Sequence, residues 1–300
     1  MEWAAEQHVD EERAAELIRS QFAELPLRSV SLLSAGWDYV AHRVDEEWVF
    51  RFPRRAVVVP GTERELAVLP RLAALLPIPV PAPVYVGHPE EGYPWPFYGA
   101  RFLPGVEAGE ASLGDGERIR LARPLGRLLR RLHSREVLDA VGDALPADPI
   151  RRVDMEFRVP QTRQALDAAA ELWAAPPRVD EILDRAAGLP PADHTAVCHG
   201  DLHFRQLLVD GCEPSGLIDW VDVCRSDPGV DLQLVWSFLP PAGRDAFFAE
   251  YGDVSEHSLL RARVVALFLN AILVRYGRTE GYAAVETEAR AGLERTVGPH

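Results

Sequence analysis

Hydrophobic and polar positions divide the chain into two stretches with different rhythms. From Asp10 to Phe22, Ala14, Leu17, Ile18 and Phe22 recur at helical spacing behind acidic residues suited to a helix N-terminus. Short apolar runs at Val30–Leu33, Tyr39–Val44 and Trp48–Phe52 read as strands, and Asp45–Glu47 supplies the turn between the last two. Thr62–Leu76 reads as a helix capped by Thr62 and closed by Pro77. Val84–Val86 and Phe97–Leu103 are two further strands, joined by the Gly/Pro-rich stretch GHPEEGYPWP. Together these predict a five-stranded antiparallel sheet with helices.

Beyond Pro104–Gly105 the period lengthens. Glu117–His133, Thr162–Trp173 and Val179–Ala187 carry Leu, Ile and Ala three to four residues apart, as amphipathic helices do. Short strands are expected at Ala196–Cys198, Gln206–Val209 and Gly216–Ile218, the last two joined by DGCEPS. Helices return from Leu232, Arg244 and Ser258. A strand-rich third followed by a helical remainder predicts an α+β fold of two lobes, residues 1–104 and 105–300, hinged near 101–105.

Composition narrows the partners. The 300 residues are 47% apolar and 26% charged, an ordinary globular balance that argues against disorder. The long apolar stretches are broken by Pro or Arg, so no membrane span is expected. The N-terminus is acidic without an apolar signal core, which makes the cytoplasm the expected location. A net charge of −14 argues against nucleic acid as a partner. Cys198, Cys212 and Cys224 match neither a disulfide framework nor a zinc pattern. No lysine occurs, so all 32 basic residues are arginine, and any task usual for Lys falls to Arg.

The candidate chemistry lies between Cys198 and Leu234. Asp201 follows His199–Gly200 in a loop, Gln206 opens a strand, and the hairpin's return run GLI delivers Asp219 at its end. One carboxylate can then take a hydroxyl proton, while an amide oxygen and a second carboxylate reach one cation. Phosphoryl transfer needs such a set.

HGDLHFRQLL, GLIDW and SDPGVDL, at their spacing over 199–232, resemble the catalytic core of the aminoglycoside and macrolide phosphotransferases, which share the protein-kinase-like fold. The resemblance implies Asp201 as catalytic base, Asp219 as metal-binding carboxylate and Asp231 as a buttress of the catalytic loop, with His199 organising that loop. Gln206 stands where most members have Asn, and offers the same amide oxygen on a longer stem. SAGWDYVAHRVDEEWVFRFPR resembles the nucleotide-covering loop and third strand. There Gly36 would cover phosphates and Arg51 would replace the phosphate-gripping Lys, paired with Glu65. YGARFLPG resembles the strand entering the hinge, where the backbones of Arg101 and Leu103 would meet the nucleotide base. LGRLLRRLHS resembles the helix behind the catalytic loop. The implied co-substrate is ATP or GTP, with Mg²⁺ on Gln206 and Asp219. The implied acceptor is a small hydroxyl-bearing molecule, an antibiotic or a metabolite.

Plainer readings compete residue by residue. Gln206 can be a polar strand-start residue, Arg51 a solvent-facing charge, and Glu63 a rival to Glu65. His199, Asp201 and His203 spell a possible transition-metal cluster of a hydrolase. A nucleotide-binding module without turnover is a further alternative. Asp154, Glu156 and Asp222 would suit a cationic acceptor, whereas Trp236, Phe238 and Phe268 would suit an apolar one, and the sequence does not choose.

Overall fold

A computed structural model describes residues 5–36 and 38–298. The chain forms two compact units, one comprising Met1–Ala74 with Pro79–Leu103, the other Leu75–Ile78 with Pro104–His300.

In the first unit, helix α1 (Glu11–Gln21) starts at Asp10, whose side chain caps the amide of Arg13. Strands β1 (Val30–Ala35), β2 (Tyr39–Val44), β3 (Trp48–Pro53), β4 (Pro83–Gly87) and β5 (Phe97–Arg101) form one antiparallel sheet in the order β1-β2-β3-β5-β4. Asp45 and Glu46 both adopt positive φ (49° and 59°), so the β2–β3 connection is the tight turn that matches strand twist. Asp45 holds it by accepting the amides of Arg28 and Ser29, both at 2.8 Å. Aromatic rings fill the core: Phe52 stacks on Phe97 at 4.7 Å, and Phe22, Phe50 and Tyr93 close around them. Burying each ring contributes on the order of 1.5–3 kcal/mol. Gly99 is required here, because a Cβ would stand 2.5 Å from the Phe50 ring.

Helix α2 (Val59–Leu75) begins earlier than the sequence reading had it. A 3₁₀ turn over Ala56–Val58 leads straight into it, and Pro60 in the first turn costs no hydrogen bond there. Thr62 is therefore no cap. It is buried inside the helix with its hydroxyl 3.0 Å from that of Tyr39.

The second unit is mainly helical: α3 (Asp115–Leu132), α4 (Arg135–Val141), α5 (Met155–Ala168), α6 (Arg178–Ala187), α7 (Gly229–Ser237), α8 (Pro241–Tyr251), α9 (Glu256–Glu280) and α10 (Ala283–Val297). Helix α5 starts at Met155 rather than Thr162, because Asp154 caps it through the Phe157 amide. Asp154 also pairs with Arg151 at 2.5 Å. Helix α7 is buried along its whole length, and every side of it meets protein. Its Trp236 lies between the guanidinium groups of Arg244 and Arg263, at 4.5 and 4.9 Å.

Helix α9 bears on the membrane expectation without overturning it. By length and composition it could cross a bilayer, with a mean hydropathy of 1.5 over 18 residues, of which 61% are buried in the protein. Arg261 and Arg263 lie within the helix but do not lower its mean hydropathy enough to exclude a span. Gly277 lets α10 approach closely, since a Cβ there would meet the Glu286 amide at 2.5 Å.

Two small sheets interrupt these helices. β6 (Val106–Glu107), β8 (Leu207–Asp210) and β9 (Glu213–Leu217) form one in the order β6-β8-β9. β7 (Ala196–Cys198) pairs with β10 (Cys224–Ser226) to form the other. Residues 199–206 and 218–223 are thus loops springing from strand ends.

Candidate active site

The loop after β7 is built around a buried carboxylate. Asp231, in the first turn of α7, has no exposed surface and accepts the amides of His199 at 2.8 Å and Gly200 at 3.1 Å. His133, at the end of α3, adds its Nε2 at 3.1 Å, and its Nδ1 meets the Tyr251 hydroxyl at 2.8 Å. Burial alone would raise the Asp231 carboxyl. The hydrogen bonds and charge of His133, together with the His199 amide, outweigh it and hold the group below its usual range. Gly200 adopts φ 93°, and a Cβ would collide with the Asp222 carbonyl at 2.2 Å, so only glycine fits.

His199 ties this loop to the next. Its Nε2 lies 2.9 Å from the Ile218 carbonyl, which accepts, and its Nδ1 accepts the Asp201 amide at 3.3 Å. Its ring rests on Trp220 at 4.6 Å. Both ring nitrogens are thereby occupied, and a metal-binding role for His199 loses its lone pair. Asp201 keeps about a third of its side chain exposed, 3.6 Å from His203 Nε2. Burial pushes the Asp201 carboxyl up, but His203, Arg152 and His199 pull it further down, so it stays ionised at neutral pH.

Gln206 stands just before β8. Its carbonyl accepts the Ile218 amide at 3.0 Å, which brings it beside the turn carrying Asp219. The residue is buried, and among the described residues its Oε1 has no hydrogen-bond partner. An orphaned buried amide oxygen costs about 1–3 kcal/mol unless something meets it. Asp219 follows in the left-handed region at φ 64°, which is uncommon outside glycine but is adopted more readily by Asp than by most residues. These oxygen donors are of the kind that a hard divalent cation takes, so the residues present fit Mg²⁺.

Two residues that the sequence reading passed over shape this site. His133 lies in the LGRLLRRLHS stretch, but a lone histidine after a helix gave no sign that it meets Asp231. Arg152 is buried and pairs with Asp148 at 2.6 Å and with Asp222 at 2.9 Å. Burial raises the Asp222 carboxyl. Arg152 opposes this, whereas Asp201 and Asp219 add to it.

The first unit gathers a different constellation. Arg51 on β3 donates to Glu65 Oε1 at 2.7 Å and to the Tyr98 hydroxyl at 3.3 Å, and lies over the Tyr39 ring at 4.4 Å. Glu65 is fully buried while Glu63 is exposed, so it is Glu65 that faces Arg51. Gly36 donates its amide to the Tyr39 carbonyl at 2.9 Å. The Arg101 side chain is exposed, pairs with Glu47 and covers Trp48 at 4.7 Å, which leaves only its backbone for the role expected of it. Neither backbone group of Leu103 takes a hydrogen bond among the described residues.

A sheet-bearing N-terminal unit and a helical unit carrying this loop pair define a protein-kinase-like fold, and solved structures share it. The GDP and kanamycin complex of APH(2")-IIia superposes with a TM-score of 0.66 at 24% identity, covering 94% of this chain and 97% of that one. The GDP complex of wild-type aminoglycoside 2'-phosphotransferase-IIIa gives 0.67 at 22%, covering 96% and 98%. The apoenzyme of macrolide 2'-phosphotransferase MphH from Brachybacterium faecium gives 0.60 at 21%, covering 95% and 99%. Comparison with the curated proteins gives no match. The model of the phosphotransferase enzyme family APH matches residues 29–265. The chain belongs to that family, and is a small-molecule phosphotransferase.

Proposed function

We propose that this protein moves the γ-phosphate of ATP or GTP onto a hydroxyl of a small molecule, with Asp201 orienting the hydroxyl and taking its proton. The acceptor oxygen forms its bond to the γ-phosphorus as the bond to the β,γ-bridging oxygen breaks, and the nucleoside diphosphate leaves. What supports this reading is that the loop carrying the partly exposed Asp201 is tied through His199 to the Ile218 carbonyl, just before Asp219, while Gln206, whose own carbonyl accepts the Ile218 amide, keeps a buried Oε1 with no hydrogen-bond partner among the described residues. Gln206 and Asp219 are the residues that would hold Mg²⁺, which when bound would supply neutralisation of phosphate charge. The chain's own contribution is positioning. Asp231 fixes the loop amides, His199 joins that loop to the Asp219 turn, and Arg51, steered by Glu65, meets the phosphates. The backbones of Arg101 and Leu103 receive the base.

Similarity to structures of aminoglycoside and macrolide phosphotransferases makes both antibiotic classes acceptor candidates, alongside hydroxyl metabolites. The test is a transfer assay with labelled ATP and GTP in parallel across such a panel, with and without Mg²⁺. Magnesium-dependent transfer to one acceptor class is the expected result. Metal-independent nucleotide binding without transfer to any acceptor would count instead for a binding module.

A further inference from the structure

The β1–β2 loop is gripped by two consecutive arginines that leave the end of β3. Arg55 donates its Nε to Asp38 Oδ1 at 2.8 Å, and its Nη2 reaches the same oxygen. Arg54 donates its Nη1 to the Gly36 carbonyl and its backbone amide to the Asp38 carbonyl, the latter at 2.7 Å. The Arg54 carbonyl in turn accepts the amides of Glu6 and Gln7 at 2.8 and 3.0 Å, which fixes the backbone from which its side chain projects.

The two arginines differ in charge balance. Arg55 is buried and its charge is matched by Asp38. Arg54 is half-buried, and among the described residues its side chain meets a neutral carbonyl and no carboxylate. A guanidinium carries five N–H donors in a planar fork, so a bond from Nη1 leaves others to present. Gly36 connects this charge to Arg51. Its amide bonds to the Tyr39 carbonyl, and the Tyr39 ring lies beneath Arg51. Arg51 and Arg54 are therefore anchored on the same short stretch, Arg51 through the ring of Tyr39 and Arg54 through Gly36. Glu65 balances Arg51, and among the described residues no acid pairs with Arg54.

We propose that Arg54 is a second phosphate-binding residue, which holds the loop with Nη1 and receives nucleotide phosphate oxygens on its remaining N–H groups. The assignment rests on the nucleotide reading given above. It makes one side chain responsible both for the position of the covering loop and for part of the charge beneath it. Loop order and phosphate affinity are then coupled at a single residue.

The plainer alternative is that Arg54 only anchors the loop, and two substitutions separate the two. Arg54→Ala removes anchor and charge. Arg54→Gln keeps an amide donor for the Gly36 carbonyl but removes the charge. Calorimetric titration of the full chain with ADP and GDP, and with adenosine and guanosine, reads phosphate binding against base binding. Both variants should lose about 10-fold or more in diphosphate affinity, the scale of a charge-assisted hydrogen bond, with nucleoside affinity unchanged. Wild-type diphosphate affinity in Arg54→Gln would reduce Arg54 to an anchor and overturn the proposal, as would wild-type affinity in Arg54→Ala. If the unsubstituted chain binds no nucleotide at all, the nucleotide reading itself fails, and the assignment of Arg54 fails with it.

Discussion

The two units hold charge by different means. In the first, Arg51 is kept in place by side chains: a carboxylate, a phenol and an aromatic face. In the second, Asp201 and Asp219 are placed by backbone: amides locked onto Asp231, a glycine that nothing else can replace, and a left-handed turn. A side-chain cage can absorb a change of residue, since each contact adjusts by a rotamer. A backbone scaffold cannot, because moving one amide moves the whole loop. The lysine-free composition fits this division, with an arginine standing in the cage while the carboxylates of the loop pattern are all present.

The comparison is sharpest at Asp201. Asp201→Asn keeps the loop and its hydrogen bonds but cannot take a proton, so turnover should fall about 10²–10⁴-fold. Nucleotide affinity, measured by titration, should hold. Unaltered turnover with an identified acceptor would remove Asp201 from the reaction.

Asp231 tests the scaffold rather than the chemistry. Asp231→Ala strands two buried amides and the His133 ring, and should cost about 3 kcal/mol or more in urea unfolding. The sign of the pH effect follows from the depressed carboxyl. Its folded value lies below the unfolded one, near 3.9, so its contribution is whole above about pH 4 and is lost as pH falls through the folded value. Wild-type stability should therefore drop below about pH 4, and Asp231→Asn should flatten that drop. A parallel fall in both would place the acid sensitivity elsewhere.

Local pattern made most of the elements and the catalytic stretch readable. The run from His199 to Asp231 packs its candidate chemistry into a short segment, so its spacing and its resemblance to the family core make it stand out. The contacts made by His133 and Arg152 were hidden because they depend on tertiary approach: His133 closes α3 far from Asp231 in sequence, and Arg152 meets Asp222 across two loops. The start of α5 was missed because its apolar positions follow no clear stripe, and the capping Asp154 looked like an acceptor ligand. The start of α2 was misplaced because a threonine before a helical run resembles a cap, whereas here the hydroxyl turns inward to Tyr39.

Arg51 probes the cage. Arg51→Ala leaves the buried Glu65 without its cation and should weaken nucleotide binding about 10-fold or more. Arg51→Lys keeps a charge over the Tyr39 ring and one donor for Glu65, and gives up the planar fork. Titrations with ATP and GTP should place Lys well above Ala. Equal losses would mean that the cage recognises fork geometry, and would make the first unit as unforgiving as the second.

The smallest effect is expected where the two modes meet, at Gln206. Its backbone belongs to the scaffold through the Ile218 amide, but its Oε1 sits at the end of a flexible stem with no hydrogen-bond partner among the described residues. Gln206→Asn shortens that stem by one carbon and preserves the amide, so metal-dependent turnover should change by only a few fold, equivalent to less than about 1.4 kcal/mol. Gln206→Leu keeps the approximate volume without the oxygen. It should leave stability unchanged or slightly improved, since it deletes an unsatisfied buried group, while raising the Mg²⁺ concentration needed for half-maximal turnover. Measuring stability and magnesium dependence on the same three proteins separates a ligand from a bystander. A bystander would gain stability in Gln206→Leu with no change in metal requirement, and the cation would then rest on Asp219 and the phosphates alone.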